Sequence, residues 1–141
     1  MRKDQHIRIA GDTTDGPGTN GFEDVYLLHD SVPELAMDDI CLGTAWLGKN
    51  TRCPVMINAI TGGTEWGRDI NRNLANIAGK FGLAMAVGSQ TIAVEQPQWG
   101  ESFGIVREVN PDGIIIANLG ANSSVKSVLA AVHMIDADGL Q

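Results

Sequence analysis

Three short apolar runs of this sequence each end in a cluster of small or polar residues that could bind a ligand. The clusters are Ala59–Gly63, Gly88–Gln90 and Ala117–Gly120. Ser89 supplies a hydroxyl, and Asn118 supplies an amide that donates and accepts at once, which suits the heteroatom edge of a flavin or purine. Each apolar run is typical of a buried strand. Because the carboxyl ends of parallel strands meet at one edge of a sheet, we expect the clusters to form one site.

The first cluster also predicts close approach of a backbone to a ligand. Gly62 and Gly63 lie where a strand gives way to a helix. Glycine lets the backbone come near a ligand, and a helix start offers N–H groups to an anion. An ordinary glycine turn is the alternative interpretation.

A second source of chemistry is the cationic N-terminus. Arg2, Lys3 and His6 lie in a polar segment, residues 1–20, whose composition predicts a flexible loop. Charge-assisted hydrogen bonds to phosphate are strong, so this arm could fold over a diphosphate. A solvated tail is the alternative.

Strands and helices alternate from residue 54 onwards. Strands are predicted over 54–59, 83–87 and 114–118, with a fourth opening at Asp138–Leu140. Helices are predicted over 65–81, 100–108 and 123–135, the first between a Thr64 cap and a Gly82 stop. The apolar positions expected to face inward are Ile70, Leu74, Ile77, Ala78, Phe81, Phe103, Ile105, Val106, Val125, Val128, Leu129 and Val132.

Repeated β-loop-α units with continuously apolar strands predict an α/β fold with a parallel sheet. Residues 54–141 hold about three and a half such units, whereas a TIM (β/α)8 barrel takes about 250 residues. We therefore expect the first part of a barrel, cut from a longer protein. Residues 1–53 are predicted to form an arm and a lid or plug, with a strand over Thr44–Leu47 and a turn at Gly48–Asn50.

The formal net charge of −7 argues against a nucleic-acid partner. No apolar run is long enough to span a membrane and no secretory leader is recognisable, so a cytoplasmic location is expected.

The motifs together resemble those of the type 2 isopentenyl-diphosphate isomerases, and the likeness covers essentially the whole chain. These motifs are Arg2-Lys3, His6, Phe22-Glu23-Asp24-Val25, Leu28-His29, Val32-Pro33-Glu34, Leu47-Gly48-Lys49, Pro54-Val55-Met56-Ile57, Ile60-Thr61-Gly62-Gly63, Ile70-Asn71, Leu74-Ala75, Val87-Gly88-Ser89-Gln90, Ser102-Phe103, Val106-Arg107 and Ala117-Asn118-Leu119-Gly120.

The resemblance implies a TIM-barrel enzyme that interconverts isopentenyl and dimethylallyl diphosphate. It implies FMN, Mg²⁺ and NADPH as the reductant that keeps the flavin reduced, with the flavin as the acid–base group. It also implies a diphosphate as the small-molecule partner, and we expect a homo-oligomer for the full-length protein.

The resemblance assigns roles residue by residue, none of them to a catalytic side chain or a metal ligand within this sequence. Matching positions for substrate binding are Arg2, Lys3, His6, Ser89 and Gln90. Matching positions for flavin binding are Ala59, Ile60, Thr61, Ser89 and Asn118.

Two positions depart from the family pattern. Ile60 stands where the family usually has Met, which is a modest apolar change. Thr91 stands where the family usually has an Arg that helps to hold the diphosphate. The family's His-x-Asn-x-x-Gln-Glu segment, with its metal-binding Glu, would begin after Gln141.

Two other readings stay open. An FMN-dependent oxidoreductase of the 2-hydroxy-acid oxidase or dihydroorotate dehydrogenase type would use the same barrel, but it needs no diphosphate clamp at its N-terminus. A non-catalytic half-barrel that serves as a binding module is the third possibility.

Overall fold

A four-stranded parallel sheet organises the chain. The computed structural model describes residues 2–14 and 16–141. The helices are α1 (Arg2–Asp12), α2 (Glu65–Phe81), α3 (Thr91–Glu95), α4 (Glu101–Val109) and α5 (Val125–Met134). The strands are β1 (Thr44–Trp46), β2 (Lys49–Thr51), β3 (Met56–Ile57), β4 (Ala84–Ala86), β5 (Ile115–Ala117) and β6 (Gly139–Leu140).

Strands β3, β4, β5 and β6 lie side by side in sequence order, and every pairing is parallel. Met85 of β4 faces Ile115 of β5 in register. Each strand is shorter than predicted, but all four strand positions are confirmed, and with them the α/β class. Closure into a TIM barrel stays a prediction.

Side chains from both faces of the sheet are buried. One face packs Met85, Val87 and Ile115 with Phe103 and Val106 of α4. The opposite face carries a separate cluster of Ala84, Ala86, Ile114 and Ile116. Burial on both faces explains why the strands read as unbroken apolar runs rather than as alternating ones.

Helix α2 confirms its predicted bounds and both end signals. The Thr64 hydroxyl accepts a hydrogen bond from the Gly67 amide at 2.9 Å, which caps the first turn. Gly82 ends the helix with a φ of 65°, a left-handed conformation that glycine adopts without a Cβ penalty.

The inward faces of the helices are only partly as predicted. Phe103, Ile105, Val106 and Ala78 are buried, whereas four other predicted positions are exposed, namely Ile77, Phe81, Val125 and Leu129. Helix α2 instead buries the small face of Gly67, Asn71, Ala75 and Ala78. Small side chains allow α2 and α4 to pack closely, and the larger apolar residues are turned outward as a result.

The predicted flexible loop over residues 1–20 is wrong for its first part, because α1 is helical. A tertiary contact helps to hold this helix, since the Lys3 ammonium donates to the Ser89 carbonyl at 2.8 Å. Helix α3 and the 3₁₀ turn Pro97–Trp99 also lie where no element was predicted.

Strands β1 and β2 form an antiparallel hairpin. The predicted strand at Thr44–Leu47 is confirmed, but the turn is Leu47–Gly48, where φ is 49° and 76°. Lys49 and Asn50, predicted as turn residues, therefore belong to β2. A two-residue turn with positive φ at both positions matches the twist of a hairpin.

The hairpin is fastened to the amino-terminal edge of the sheet. The Lys49 ammonium lies 2.7 Å from an Asp138 carboxylate oxygen and donates to the Gly113 carbonyl at 3.2 Å. Asp138, just before β6, also accepts from the Ile115 amide at 2.9 Å and from Arg107 at 2.8 Å. Burial by itself would raise the pKa of Asp138, but these hydrogen bonds outweigh it and hold that pKa below its usual 3.8.

The sheet is curled rather than flat. The Gln141 side-chain amide donates to the side-chain oxygen Oδ1 of Asn58 at 3.1 Å, although Asn58 follows β3 and Gln141 follows β6. Four flat strands at the usual spacing would hold the outer two about 14 Å apart. Two such side chains joined by one hydrogen bond span at most about 12 Å between their Cα atoms. The outer strands have therefore approached each other.

Candidate functional site

Four predicted site residues lie just after strands at the carboxyl edge of the parallel sheet. Ile60 and Thr61 follow β3, Ser89 follows β4 and Asn118 follows β5. The Gly88 amide donates to the Thr61 carbonyl at 3.0 Å, and the Gln90 amide donates to the Asn118 carbonyl at 2.9 Å. Neighbouring strand ends are thus joined directly by their backbones.

A cavity of about 310 Å³ lies between α1 and this edge. Its lining combines positions that the resemblance assigns to the substrate with positions that it assigns to the flavin. The lining residues are Lys3, His6, Ile7, Ala10, Ile60, Thr61 and Ser89. The structure therefore brings Lys3 and His6 to the same site as Ile60, Thr61 and Ser89.

Lys3 is the most constrained cation of the site. Its ammonium donates to the Ser89 carbonyl and lies 5.2 Å from the centroid of the buried Phe103 ring. Burial lowers the pKa of Lys3 from its ordinary value of 10.5. A partly desolvated ammonium attracts an anion more strongly than a solvated one does, so the position suits a phosphate group.

The other two arm residues are placed differently. His6 is exposed and lines the same cavity as Lys3. The side chain of Arg2 lies outside the part of the chain that the structure describes, so its role in substrate binding stays a prediction.

Ser89 and Thr91 form a hydroxyl pair on the rim. Their side-chain oxygens are 2.9 Å apart, and Thr91 is exposed. Both line a second cavity of about 490 Å³, which Lys3 and Glu95 also line. A side chain longer than threonine at position 91 would therefore extend along open space beside Lys3.

Gln90 points away from this edge. Its side chain is fully buried, its side-chain amide donates to the Ala131 carbonyl of α5 at 2.9 Å, and its Oε1 accepts from the backbone N–H of Asn118 at 3.1 Å. Both ends of the side chain are used within the fold, so Gln90 supports Asn118 instead of lining either cavity beside Lys3. Its predicted contact with substrate has no support in this geometry.

Asn118 belongs to a chain of carboxamides that the sequence analysis did not anticipate. Its Nδ2 lies 3.4 Å from Oε1 of Gln141, and Gln141 in turn donates to Asn58. All three side chains are at strand ends. Asn58 directly follows β3 just as Asn118 directly follows β5, so a polar residue at a strand end was the signal in both cases.

In the loop Thr61–Gly63, one backbone amide that the predicted anion site would use is already bonded within the fold. The Gly63 amide donates to the Ser102 hydroxyl at 2.7 Å and is therefore not free to bind a ligand. Thr61 is buried, while Ile60 beside it is 62% exposed. Ala59 is partly buried, and its amide is bonded to the Asn58 side chain. The side chain that is exposed to a ligand here is therefore that of the apolar Ile60, just before the loop.

The described residues contain no group of three or more His, Cys, Asp or Glu side chains arranged to hold a metal ion. None of the helices in this part of the chain has the length and apolarity needed to cross a membrane.

Curated proteins similar to this chain share one name, although no family model matches the chain. Curated proteins named isopentenyl-diphosphate delta-isomerase match it over almost its full length. That of Moorella thermoacetica is 48% identical over 140 residues, covering 99% of this chain and 40% of the relative. That of Symbiobacterium thermophilum is 45% identical over 149 residues, covering 100% and 41%.

The relative from Staphylococcus haemolyticus is 41% identical over 141 residues, with 100% of this chain and 40% of the relative covered. The chain thus spans about 40% of the length of the curated relatives it matches.

Proposed function

We propose that the protein to which this sequence belongs interconverts isopentenyl and dimethylallyl diphosphate, with residues 1–141 forming one side of its site. The observation that carries the proposal is the cavity beneath α1, which places the Lys3 ammonium beside the exposed Ile60 and Ser89. An isoprenoid diphosphate has one anionic end and one apolar end. Relatives that carry the name of this activity are 40–48% identical to the chain.

Lys3 would bind the diphosphate. One of its three ammonium protons is bonded to the Ser89 carbonyl, which fixes its position and leaves two for an anion. Arg2 in the same helix would add to the positive charge, and His6 lines the same cavity. The apolar end of the substrate would lie towards Ile60 and away from the charged arm.

We further propose the FMN-dependent, type 2 form of the enzyme. This proposal is supported by the strand ends, where Ile60 presents an apolar surface and Asn118 carries an amide, the two features that a ring with a polar edge would require. When bound and reduced by NADPH, FMN would supply the acid–base group that moves a proton across the allylic system, without net redox change. The protein side chains would orient the ring and exclude water.

Magnesium belongs to the proposal only through the resemblance. The described residues contain no cluster that fits a metal ion, so no step is assigned to one here. The TIM barrel is likewise a proposal, supported by the parallel order of β3 to β6 and by the curl that brings Asn58 to Gln141. A homo-oligomer in the cytoplasm remains part of the expectation.

The test is an anaerobic assay of the intact protein with isopentenyl diphosphate, Mg²⁺, FMN and NADPH. We expect dimethylallyl diphosphate to form and its formation to stop when FMN is withheld. Bound FMN that is reduced by a 2-hydroxy acid or dihydroorotate, without isomerisation, would replace the proposal with a redox barrel. Isomerisation that persists without FMN would contradict the type 2 assignment. A protein that neither binds FMN nor turns over isopentenyl diphosphate would favour a non-catalytic binding module.

A further inference from the structure

We propose that Asn71 and Ser102 are positioning residues that fix the distance between the Thr61 loop and the Ser89 loop, an inference that rests on the proposed function. Neither side chain lines the two cavities beside Lys3. They act on these cavities through the backbones of the two loops.

Asn71 ties helix α2 to the first loop. Its side chain is 1% exposed, and its Nδ2 donates to the Thr61 carbonyl at 3.3 Å and to the Ser102 carbonyl at 2.9 Å. An amide nitrogen has two protons to donate, and both are used. The position of the Thr61 carbonyl is therefore fixed by a side chain of helix α2.

Ser102 ties helix α4 to the same loop. Its hydroxyl donates to the Trp99 carbonyl at 2.6 Å and accepts from the Gly63 amide at 2.7 Å, and the residue is 4% exposed. The donation to Trp99 fixes the hydroxyl so that its lone pairs face Gly63. The loop is thus held at Thr61 by one side chain and at Gly63 by the other.

The fixed loop in turn sets the position of the second one. The Gly88 amide donates to the Thr61 carbonyl at 3.0 Å, and a Cβ at Gly88 would lie only 2.6 Å from that oxygen. The two backbones are therefore in direct contact. Ser89 follows immediately and carries the carbonyl that holds Lys3. A shift of Thr61 would pass through Gly88 to Ser89 and Lys3.

The placement of these polar groups points to this role. Leaving a buried polar group without its partner is costly. Each of the two side chains has one hydrogen bond that ends on the backbone of the loop, at the Thr61 carbonyl for Asn71 and at the Gly63 amide for Ser102. Their other bonds, to the Ser102 and Trp99 carbonyls, hold the donors in place against α4 and the turn before it. An apolar side chain at either position would keep the helices together but would not specify where the loop lies.

The test compares Ser102→Ala and Asn71→Leu with the wild type in the intact protein. Ser127→Ala is the matched control, because Ser127 also lies in the first turn of a helix and its hydroxyl bonds only within that turn of α5. Ser102→Thr keeps the hydroxyl and serves as the conservative rescue.

The first readout is amide hydrogen exchange without any ligand. We expect exchange of residues 61–64 and 88–90 to become about tenfold faster in Ser102→Ala, with the interiors of α2 and α4 unchanged. The control Ser127→Ala should leave these loops as in the wild type. Unchanged exchange in both loop segments would overturn the inference, whether or not the protein binds a flavin.

The second readout is the flavin itself. We expect Ser102→Ala to raise the FMN dissociation constant about tenfold and to shift the visible absorption bands of the bound flavin, and Ser102→Thr to restore both. A lower melting temperature with an unchanged dissociation constant and spectrum would reduce Ser102 to a structural residue. A wild-type protein that binds no FMN would instead overturn the proposed function, and the exchange result would still decide the loop positioning.

Discussion

The ammonium of Lys3 is held by a carbonyl on one side and by an aromatic ring on the other. The Ser89 carbonyl and the Phe103 ring both belong to the body of the fold, whereas Lys3 belongs to the arm. The same contact therefore docks α1 and aims a positive charge at the cavity. Removing the charge should affect anion binding more than flavin binding.

We expect Lys3→Gln to raise the KM for isopentenyl diphosphate about ten- to hundredfold, because a charge-assisted hydrogen bond contributes about 1.5–3 kcal/mol. The FMN dissociation constant should change less than about twofold, since Lys3 is not assigned to the ring. Steady-state kinetics and flavin titration measure the two effects separately. Lys126→Gln, which removes an exposed charge on α5, is the control. An equal rise in the KM for isopentenyl diphosphate and in the FMN dissociation constant would contradict a role of Lys3 that is specific to the diphosphate.

Thr91 offers a gain-of-function test at the same edge. Thr91→Arg should lower the KM for isopentenyl diphosphate by about tenfold, because the exposed position borders the open cavity beside Lys3 and a guanidinium can bind phosphate with two hydrogen bonds. Thr91→Gln adds length without charge and should leave the KM unchanged. If the new Arg instead pairs with Glu95, which lines the same cavity, the KM will not fall. In that case the KM should fall in the double variant Thr91→Arg with Glu95→Gln, because the competing carboxylate is gone.

Ser89 and Gln90 indicate what the sequence can and cannot specify about a site. Both follow the same strand, and both were predicted to contact substrate. Only Ser89 lies on the cavities, because the Gln90 side chain is turned inward to the Ala131 carbonyl. Which of two adjacent polar residues faces the ligand depends on the packing of α5, which is distant in sequence.

At the scale of elements, the amino-terminal edge is held by charge. Asp138 joins β6 to the hairpin through Lys49 and to α4 through Arg107, and Arg107 also donates to the carbonyls of Pro111, Gly113 and Asp136. Active sites of α/β barrels lie at the opposite edge. We therefore expect this network to matter for stability and not for turnover.

Asp138→Asn should lower the free energy of unfolding by about 1–3 kcal/mol at pH 7, as partners of a largely buried carboxylate lose their charge pairing. Since the folded pKa lies below the unfolded one, the stabilisation is fully present above about pH 4 and is lost as the pH falls through the folded value. Urea denaturation from pH 7 to pH 3 should show the two proteins converging in acid. Glu108→Gln, at an exposed position on α4, is the control, and a constant difference at every pH would contradict the assignment.

Elements with local end signals could be predicted from the sequence, and those that depend on distant contacts could not. Thr64 and Gly82 mark the ends of α2 by themselves. Helix α1 has no side-chain signal of comparable strength in its polar sequence. Among the described residues, Lys3 attaches this helix to Ser89, 86 residues away, and to the Phe103 ring. The exposed Phe81 illustrates a further limit, because periodicity identifies an apolar face but not the surface that it will meet.

The whole molecule, as residues 1–141, exposes much apolar surface. Tyr26, Leu27 and Leu28 are between 87% and 103% exposed. In the described part of the chain, β3 and β6 each pair with a single neighbour and so leave a free edge. Large exposed apolar residues and unpaired strand edges both favour association.

We expect residues 1–141 produced alone to self-associate in a concentration-dependent way, measured by light scattering coupled to size exclusion. The double variant Leu27→Glu with Leu28→Glu should weaken association if the segment around these residues drives it. Retention of association in that variant would assign it to the sheet edges instead. A monodisperse monomer that melts cooperatively would contradict the prediction altogether.

The order of the sheet has a consequence for how the chain is made. Strands β3, β4, β5 and β6 are neighbours in space in the same order as in the sequence. Each new strand can therefore dock on one that has already left the ribosome, without waiting for a distant segment. Closing the loop of each unit involves a short stretch of chain, and its entropic cost is modest. The sheet can grow in step with synthesis, one unit at a time.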